Sequence, residues 1–190
     1  MKKIFTLYAL LLTCNLSAQV GFTTSLHLGH SLATENLIPS KLNYGGGIGV
    51  DWYVMKRIQI VAGFAYTRLH PKNELMDVYR IRQLNFGFGI DLLKEKHKLL
   101  LVLSGVSSES RFSIDRSKLP DGFGTIEDSR WTQWGYAGEL HYFPKKNWGV
   151  SLGYTRYCAR RYDVLNFQDV VKVGVIFRLE RAKKNEQGSE

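Results

Sequence analysis

The chain has 190 residues, with 26 Lys and Arg against 17 Asp and Glu, a formal charge of +9, 18 glycines and an aromatic content of 13%. Past residue 18 no segment approaches the run of about 20 apolar residues that a spanning helix needs, so any crossing of a bilayer has to be made by strands. The sequence holds 2 cysteines, Cys14 and Cys158, and the first lies inside an export signal, which excludes a disulfide scaffold and a cysteine-based zinc site.

Residues 1–18 have the form of that signal: Lys2 and Lys3, an apolar run from Ile4 to Leu12, and Leu16-Ser17-Ala18 before Gln19, with the cut expected after Ala18. The alternative is a lipidated Cys14, but Thr13 poorly suits the position before a lipidated cysteine. Removing 18 of 190 residues leaves 172, one domain, with 24 basic and 17 acidic side chains, or +7. Such a balance suits nucleic acid, anionic lipid or nothing specific, and an exported chain rarely meets nucleic acid.

A transmembrane strand needs about 9–11 residues, apolar on alternate positions toward lipid and small or polar on the others. From residue 20 to 29 the outward set is Val20, Phe22, Thr24, Leu26 and Leu28, against Gly21, Thr23, Ser25, His27 and Gly29. Residues 42–53 place Leu42, Tyr44, Ile48, Val50 and Trp52 outside, and Asn43, Gly45, Gly47, Gly49 and Asp51 inside. After a tight turn at 54–57, residues 58–67 set Ile58, Ile60, Phe64 and Tyr66 against Gln59, Gly63, Ala65 and Thr67, which makes a hairpin. The fourth strand sets Leu84, Phe86, Phe88, Ile90 and Leu92 against Gln83, Asn85, Gly87, Gly89 and Asp91. The fifth, near 99–111, begins Leu99-Leu100-Leu101-Val102-Leu103, apolar on both faces, so a buried strand and a short helix both fit. The sixth places Trp134, Tyr136, Leu140 and Tyr142 outside Gln133, Gly135, Ala137, Glu139 and His141. The seventh places Trp148, Val150, Leu152 and Tyr154 outside Gly149, Ser151, Gly153 and Thr155. The eighth, 169–179, sets Val171, Val173, Val175, Phe177 and Leu179 against Lys172, Gly174 and Arg178.

The connections after the second, fourth and sixth strands are short. Those near 30–41, 68–78, 112–130 and 157–168 are longer and rich in charge, Pro and Asn. Short periplasmic turns and long outer loops alternate in this way in outer-membrane barrels, which predicts both termini in the periplasm. The expected fold is all-β: an eight-stranded antiparallel up-and-down transmembrane barrel over 19–180, with 181–190 a polar periplasmic tail. A soluble barrel would have to exchange the two sets and crowd Phe, Trp, Tyr and Leu into an interior only just wide enough for modest side chains. Aromatics also group at two heights, Trp52, Trp148 and Tyr142 by the short turns and Tyr44, Tyr66, Trp134 and Tyr154 toward the long loops, as in interfacial girdles.

In this pattern the chain resembles the small outer-membrane β-barrel proteins of Gram-negative bacteria, in particular the porin-like barrels common in Bacteroidota. The likeness covers 19–180. It is carried by the signal end Leu16-Ser17-Ala18-Gln19, the second strand from Gly45-Gly46-Gly47 to Asp51-Trp52-Tyr53, and the last strand Val173-Gly174-Val175-Ile176-Phe177-Arg178-Leu179. Chains of that group often stop at a terminal aromatic, whereas Phe177 is followed by thirteen residues here. The resemblance implies an outer-membrane location and no particular activity.

No cofactor motif is present: Gly45-Gly46-Gly47-Ile48-Gly49 lacks both the following helix and the Gly-Lys-Ser/Thr end of a phosphate loop. His27 and His30, three apart on a strand, fall on opposite faces and give no metal spacing. The inward groups His27, Asp51, Asp91, Glu139, His141, Lys172 and Arg178 are expected to form a polar network that fills the lumen, since lone buried charges are costly. With Ser25 or Ser151 they could instead be drawn as a hydrolase triad, but they point away from lipid.

Four arginines, Arg68, Arg80, Arg82 and Arg156, keep outward parity just beyond Tyr66, Leu84 and Tyr154, at the expected height of the outer headgroups, with Arg160 and Arg161 on the last loop. Guanidinium forks suit lipid A phosphates, so one expectation is a lipopolysaccharide-contacting belt. The other is ordinary rim pairing with Glu74, Asp77 or Asp163. The function expected from these features is non-enzymatic and structural or surface-interacting, with loop 113–130, bearing Pro120-Asp121-Gly122-Phe123-Gly124, as a contact for an external partner. A narrow porin-like channel and a lipid A-modifying enzyme using His141 and Glu139 are the alternatives.

Overall fold

The computed structural model describes residues 20–32, 40–71, 76–93, 98–114, 129–161 and 164–180. Residues 1–18 and 181–190, expected to be signal and tail, lie outside them. The strands are β1 (Val20–Leu32), β2 (Ser40–Tyr53), β3 (Ile58–Pro71), β4 (Met76–Asp91), β5 (Lys98–Ile114), β6 (Ser129–Phe143), β7 (Trp148–Arg161) and β8 (Val164–Glu180). Each pairs antiparallel with its sequence neighbours and β1 pairs with β8, closing the barrel.

Strand alternation alone sorts the side chains. On β4, for example, Leu84, Phe86, Phe88 and Ile90 are exposed on the outer wall while Gln83, Gly87 and Gly89 are buried inside. The outward apolar stretch has a constant length on four strands: Ile58–Tyr66, Leu84–Leu92, Trp134–Tyr142 and Val171–Leu179 are nine residues each. A soluble barrel is thereby ruled out for this part of the chain, because its apolar set would face inward.

Beyond that band the pattern inverts. Toward the end that bears the long connections, charged side chains face outward (Arg80 and Arg82 on β4, Arg111 on β5, Arg130 on β6) while Leu69, Tyr79, Ile81, Tyr157 and Val170 are buried inside. These inner residues, with Val106 and Ala137, form an apolar core against which Trp131 packs. The strands therefore continue past the expected limits, and much of what the sequence assigned to outer loops is sheet. Residues 30–32, 68–71 and 76–78 are strand. So are 112–114 and 129–130, which shortens the expected loop 113–130 at both ends, and Arg160 and Arg161 pair with Leu165 and Val164 in the β7–β8 ladder. An alternation test that looks only for apolar side chains outside cannot detect strands whose apolar side has moved inside.

The ambiguous fifth segment is a strand. Leu100 and Val102 are buried in the lumen, as are Phe143 and Ile176, and Leu103 faces out. The inward glycines set the close spacing of the wall: a Cβ at Gly87 would meet the backbone oxygen of Leu103, and one at Gly135 that of Arg156.

Candidate functional site: a polar lumen and a cationic rim

Inside the barrel the expected polar residues form separate groups at different heights. Near the turn end, Arg178 donates through Nη2 to Asp51 Oδ2 and to Gln59 Oε1 at 3.2 Å, and its guanidinium lies 5.6 Å from the centre of the Tyr53 ring. Lys98 donates to the Tyr53 hydroxyl and sits 4.7 Å over the same ring. Arg178 and Asp51 are both buried, 2% and 3% exposed, and project into the lumen near its turn end. Asp91 lies farther along the same end, where its N–H donates to the Arg57 carbonyl at 2.9 Å.

At mid-height His141 Nε2 meets Glu139 Oε2 at 2.8 Å, two residues apart on the inner face of β6. His27 Nε2 is 3.1 Å from Thr67 Oγ1. Lys172 donates to Gln83 Oε1 at 3.4 Å and to the Tyr157 hydroxyl at 3.5 Å, and that hydroxyl donates to the same Gln83 oxygen. A cavity of about 120 Å³, lined by these groups and also by Asp51, Gln59 and Arg178 of the turn-end group, has room for several waters. Above it Tyr79 donates to Gln168 at 3.4 Å, Gln168 to Ser31 at 3.4 Å and Ser110 to Gln133 at 2.5 Å, and the apolar core fills the rest. Thus buried side chains occupy the lumen at two heights, the Arg178–Asp51 group toward the short turns and the apolar core toward the long connections. Ser151 lies directly across the β6–β7 ladder from His141, and Ser25 lines the same cavity, but both stand inside the barrel rather than at the outer wall.

Outside, the ladder registers place arginines in a row that neither spacing nor loop length revealed. Arg68 is opposite Arg80, Arg80 opposite Arg111, and Arg111 opposite Arg130, one on each of β3, β4, β5 and β6. One step along, Arg82 is opposite Glu109. Glu109 accepts from Arg111 Nε at 2.8 Å and from Arg130 Nε at 3.2 Å. Among the described side chains, five arginines on this wall face one carboxylate. Arg111, the last residue of the expected fifth strand, and Arg130, at the margin of the expected loop, are not in the expected set; continued parity of β5 and β6 is the signal that could find them.

Arg156 stands apart. It holds Asp169 in a two-pronged contact, Nε to Oδ1 and Nη2 to Oδ2, both 2.7 Å, and Tyr154 donates to Oδ1 at 2.7 Å. The Phe167 ring lies 5.4 Å from the guanidinium. Its partner is Asp169, not the acids expected from sequence. Glu74, Asp163 and residues 115–128 lie outside the described residues, and the side chains of Asp77, Arg160 and Arg161 are not described.

No protein-family model matches the chain, and no curated protein does. Solved structures do match over nearly their whole length. The attachment invasion locus protein Ail of Yersinia pestis is 16% identical over 85% of this chain and 99% of its own, with a TM-score of 0.57. Neisserial surface protein A is 12% identical over 86% and 98%, with a TM-score of 0.54. The N-terminal barrel domain of Pseudomonas aeruginosa OprF is 12% identical over 86% and 100%, with a TM-score of 0.53. The chain has the fold of the small eight-stranded outer-membrane barrels.

Proposed function

We propose that this chain is a non-enzymatic outer-membrane barrel whose working surface is the outward arginine row, and that it binds the phosphorylated headgroup of lipopolysaccharide there. The observation that carries the proposal is the run Arg68, Arg80, Arg111, Arg130 across four adjacent strands. Like charges set directly opposite one another destabilise a sheet. A row of them is sustained by an anionic ligand, and guanidinium forks take phosphate oxygens in pairs. The row lies just past the nine-residue apolar band, where a headgroup sits when that band spans the hydrocarbon.

In this proposal residues 1–18 direct export, the termini and short turns are periplasmic, and the long connections, including the remainder of loop 113–130, are at the cell surface. The side chains that occupy the lumen at two heights favour a barrel without a channel, and the inward placement of Glu139 and His141 favours one without lipid chemistry. The complex of Ail with the heparin analogue sucrose octasulfate adds support of a general kind, since polyanionic sugars suit such a surface. Charge reversal by Arg80→Glu with Arg82→Glu should abolish lipopolysaccharide co-purification and raise detergent sensitivity of the membrane; unchanged values of both would refute the proposal.

A further inference from the structure

Among the described residues the outer wall has a local depression on β5 and β6. Around the barrel the outward positions at mid-height carry large side chains such as Leu26, Ile48, Leu152, Val173 and Val175, but Gly105 on β5 and Gly138 on β6 carry none. The two lie diagonally across one ladder, Gly105 opposite Tyr136 and Gly138 opposite Leu103. Phe86 and Phe88 wall the depression from β4, and Tyr136 and Tyr154 wall it from the other side. The space over both glycines is open: a Cβ at Gly105 would come no nearer than 3.8 Å to another atom, and one at Gly138 no nearer than 3.6 Å. Gly46, also outward, differs, since a Cβ there would meet the Ser25 backbone oxygen at 2.8 Å. Closure of the barrel therefore does not require glycine at 105 and 138.

The depression lies under the arginine row, on strands that both share. On β4, Phe86 is four residues from Arg82 and six from Arg80; on β5, Gly105 is six from Arg111. At about 3.3 Å per residue these are about 13–20 Å along the strand. Cations at the headgroup end and an apolar slot one chain-length below match an amphiphile with an anionic head. The row itself spans three inter-strand steps of about 4.8 Å, about 14 Å, which exceeds the reach of one phosphodiester. A bis-phosphorylated sugar headgroup covers it.

We infer that the wall formed by β4–β6 is a lipid A seat, in which the arginine row holds the phosphorylated headgroup and the slot over Gly105 and Gly138 holds one acyl chain. This rests on the proposed function and names the lipid's second point of contact.

The test uses the barrel in phosphatidylcholine nanodiscs with hexa-acylated lipid A bearing a diazirine in one acyl chain. Photolabel should concentrate on peptides containing Phe86, Leu103 and Tyr136. It should be lost from them in Gly105→Leu with Gly138→Leu, which keeps the heat-modifiable gel mobility of a folded barrel and still binds lipid A. Phosphatidylglycerol with the same diazirine should label this wall no more than β1 and β8. Even labelling around the barrel, a pattern unaltered by the two leucines, equal labelling by phosphatidylglycerol, or protection of the slot by a second copy of the chain would each overturn the inference. Arg80→Glu with Arg82→Glu separates the two levels: retained lipid A binding defeats the proposed function, whereas binding lost there with an unaltered label in the leucine variant defeats only the acyl seat.

Discussion

Arg80 and Arg111 face each other directly across the β4–β5 ladder on the outer wall, with Arg68 and Arg130 completing the row on either side. The only acid described among them, Glu109, is shared between Arg111 and Arg130. In lipopolysaccharide-free detergent at low salt, Arg80→Gln should therefore raise stability by about 0.5 kcal/mol by relieving like-charge contact. The gain should shrink in high salt, which screens exposed charges, and reverse when lipid A is added. Thermal melts of the folded gel band under the three conditions provide the check.

Asp51 and Arg178 form the opposite case, a buried pair of unlike charges. Asp51→Ala should cost about 3–5 kcal/mol, because it strands a guanidinium inside the barrel. Replacing both partners, as in Asp51→Leu with Arg178→Met, should cost less than the single change. Urea titrations that gave the double variant the larger loss would contradict the buried pair described here.

Side chains filling the lumen at two heights predict a planar-bilayer conductance at or near zero for the native protein. Removal of one obstruction leaves the other, so neither Tyr157→Ala nor Arg178→Ala alone should open a pore. The two together should yield measurable current, in whatever fraction of the variant still folds.

Glycines divide by what surrounds them. Gly135→Ala and Gly87→Ala force a methyl onto the backbone oxygens of Arg156 and Leu103, which a ladder cannot move aside. Both should lower the folded fraction on refolding, while Gly105→Ala should refold as the native chain does. Heat-modifiable mobility after refolding distinguishes them.

Strand number, inner and outer sets and barrel class were legible because nine-residue outward stretches such as Leu84–Leu92 are long enough to impose a period. The strand ends by the long connections were not, since Leu69, Tyr79 and Tyr157 are apolar and inward there while Arg68, Arg80 and Arg156 are outward, a reversal that a single rule of lipid-facing alternation takes for loop. Strand five resisted because Leu100 and Val102 pack in the lumen with Phe143 and Ile176 nearby, so its inner face is apolar as well. The arginine row is a property of register, and register joins Arg68 to Arg130 across residues far apart in the chain. Asp169, at the margin of the expected last strand, gave no sign that it would capture Arg156 until the β7–β8 pairing set them opposite each other.

The inverted pattern at the end that bears the long connections also bears on how such a barrel enters a membrane. If it inserts from the periplasm, the charged rim leads, and each arginine at the bilayer midplane costs about 2–4 kcal/mol. Five of them in one wall make unaided passage slow and reverse passage slower still. The rim then works as a ratchet, fixing for the lifetime of the protein which end meets the outside world.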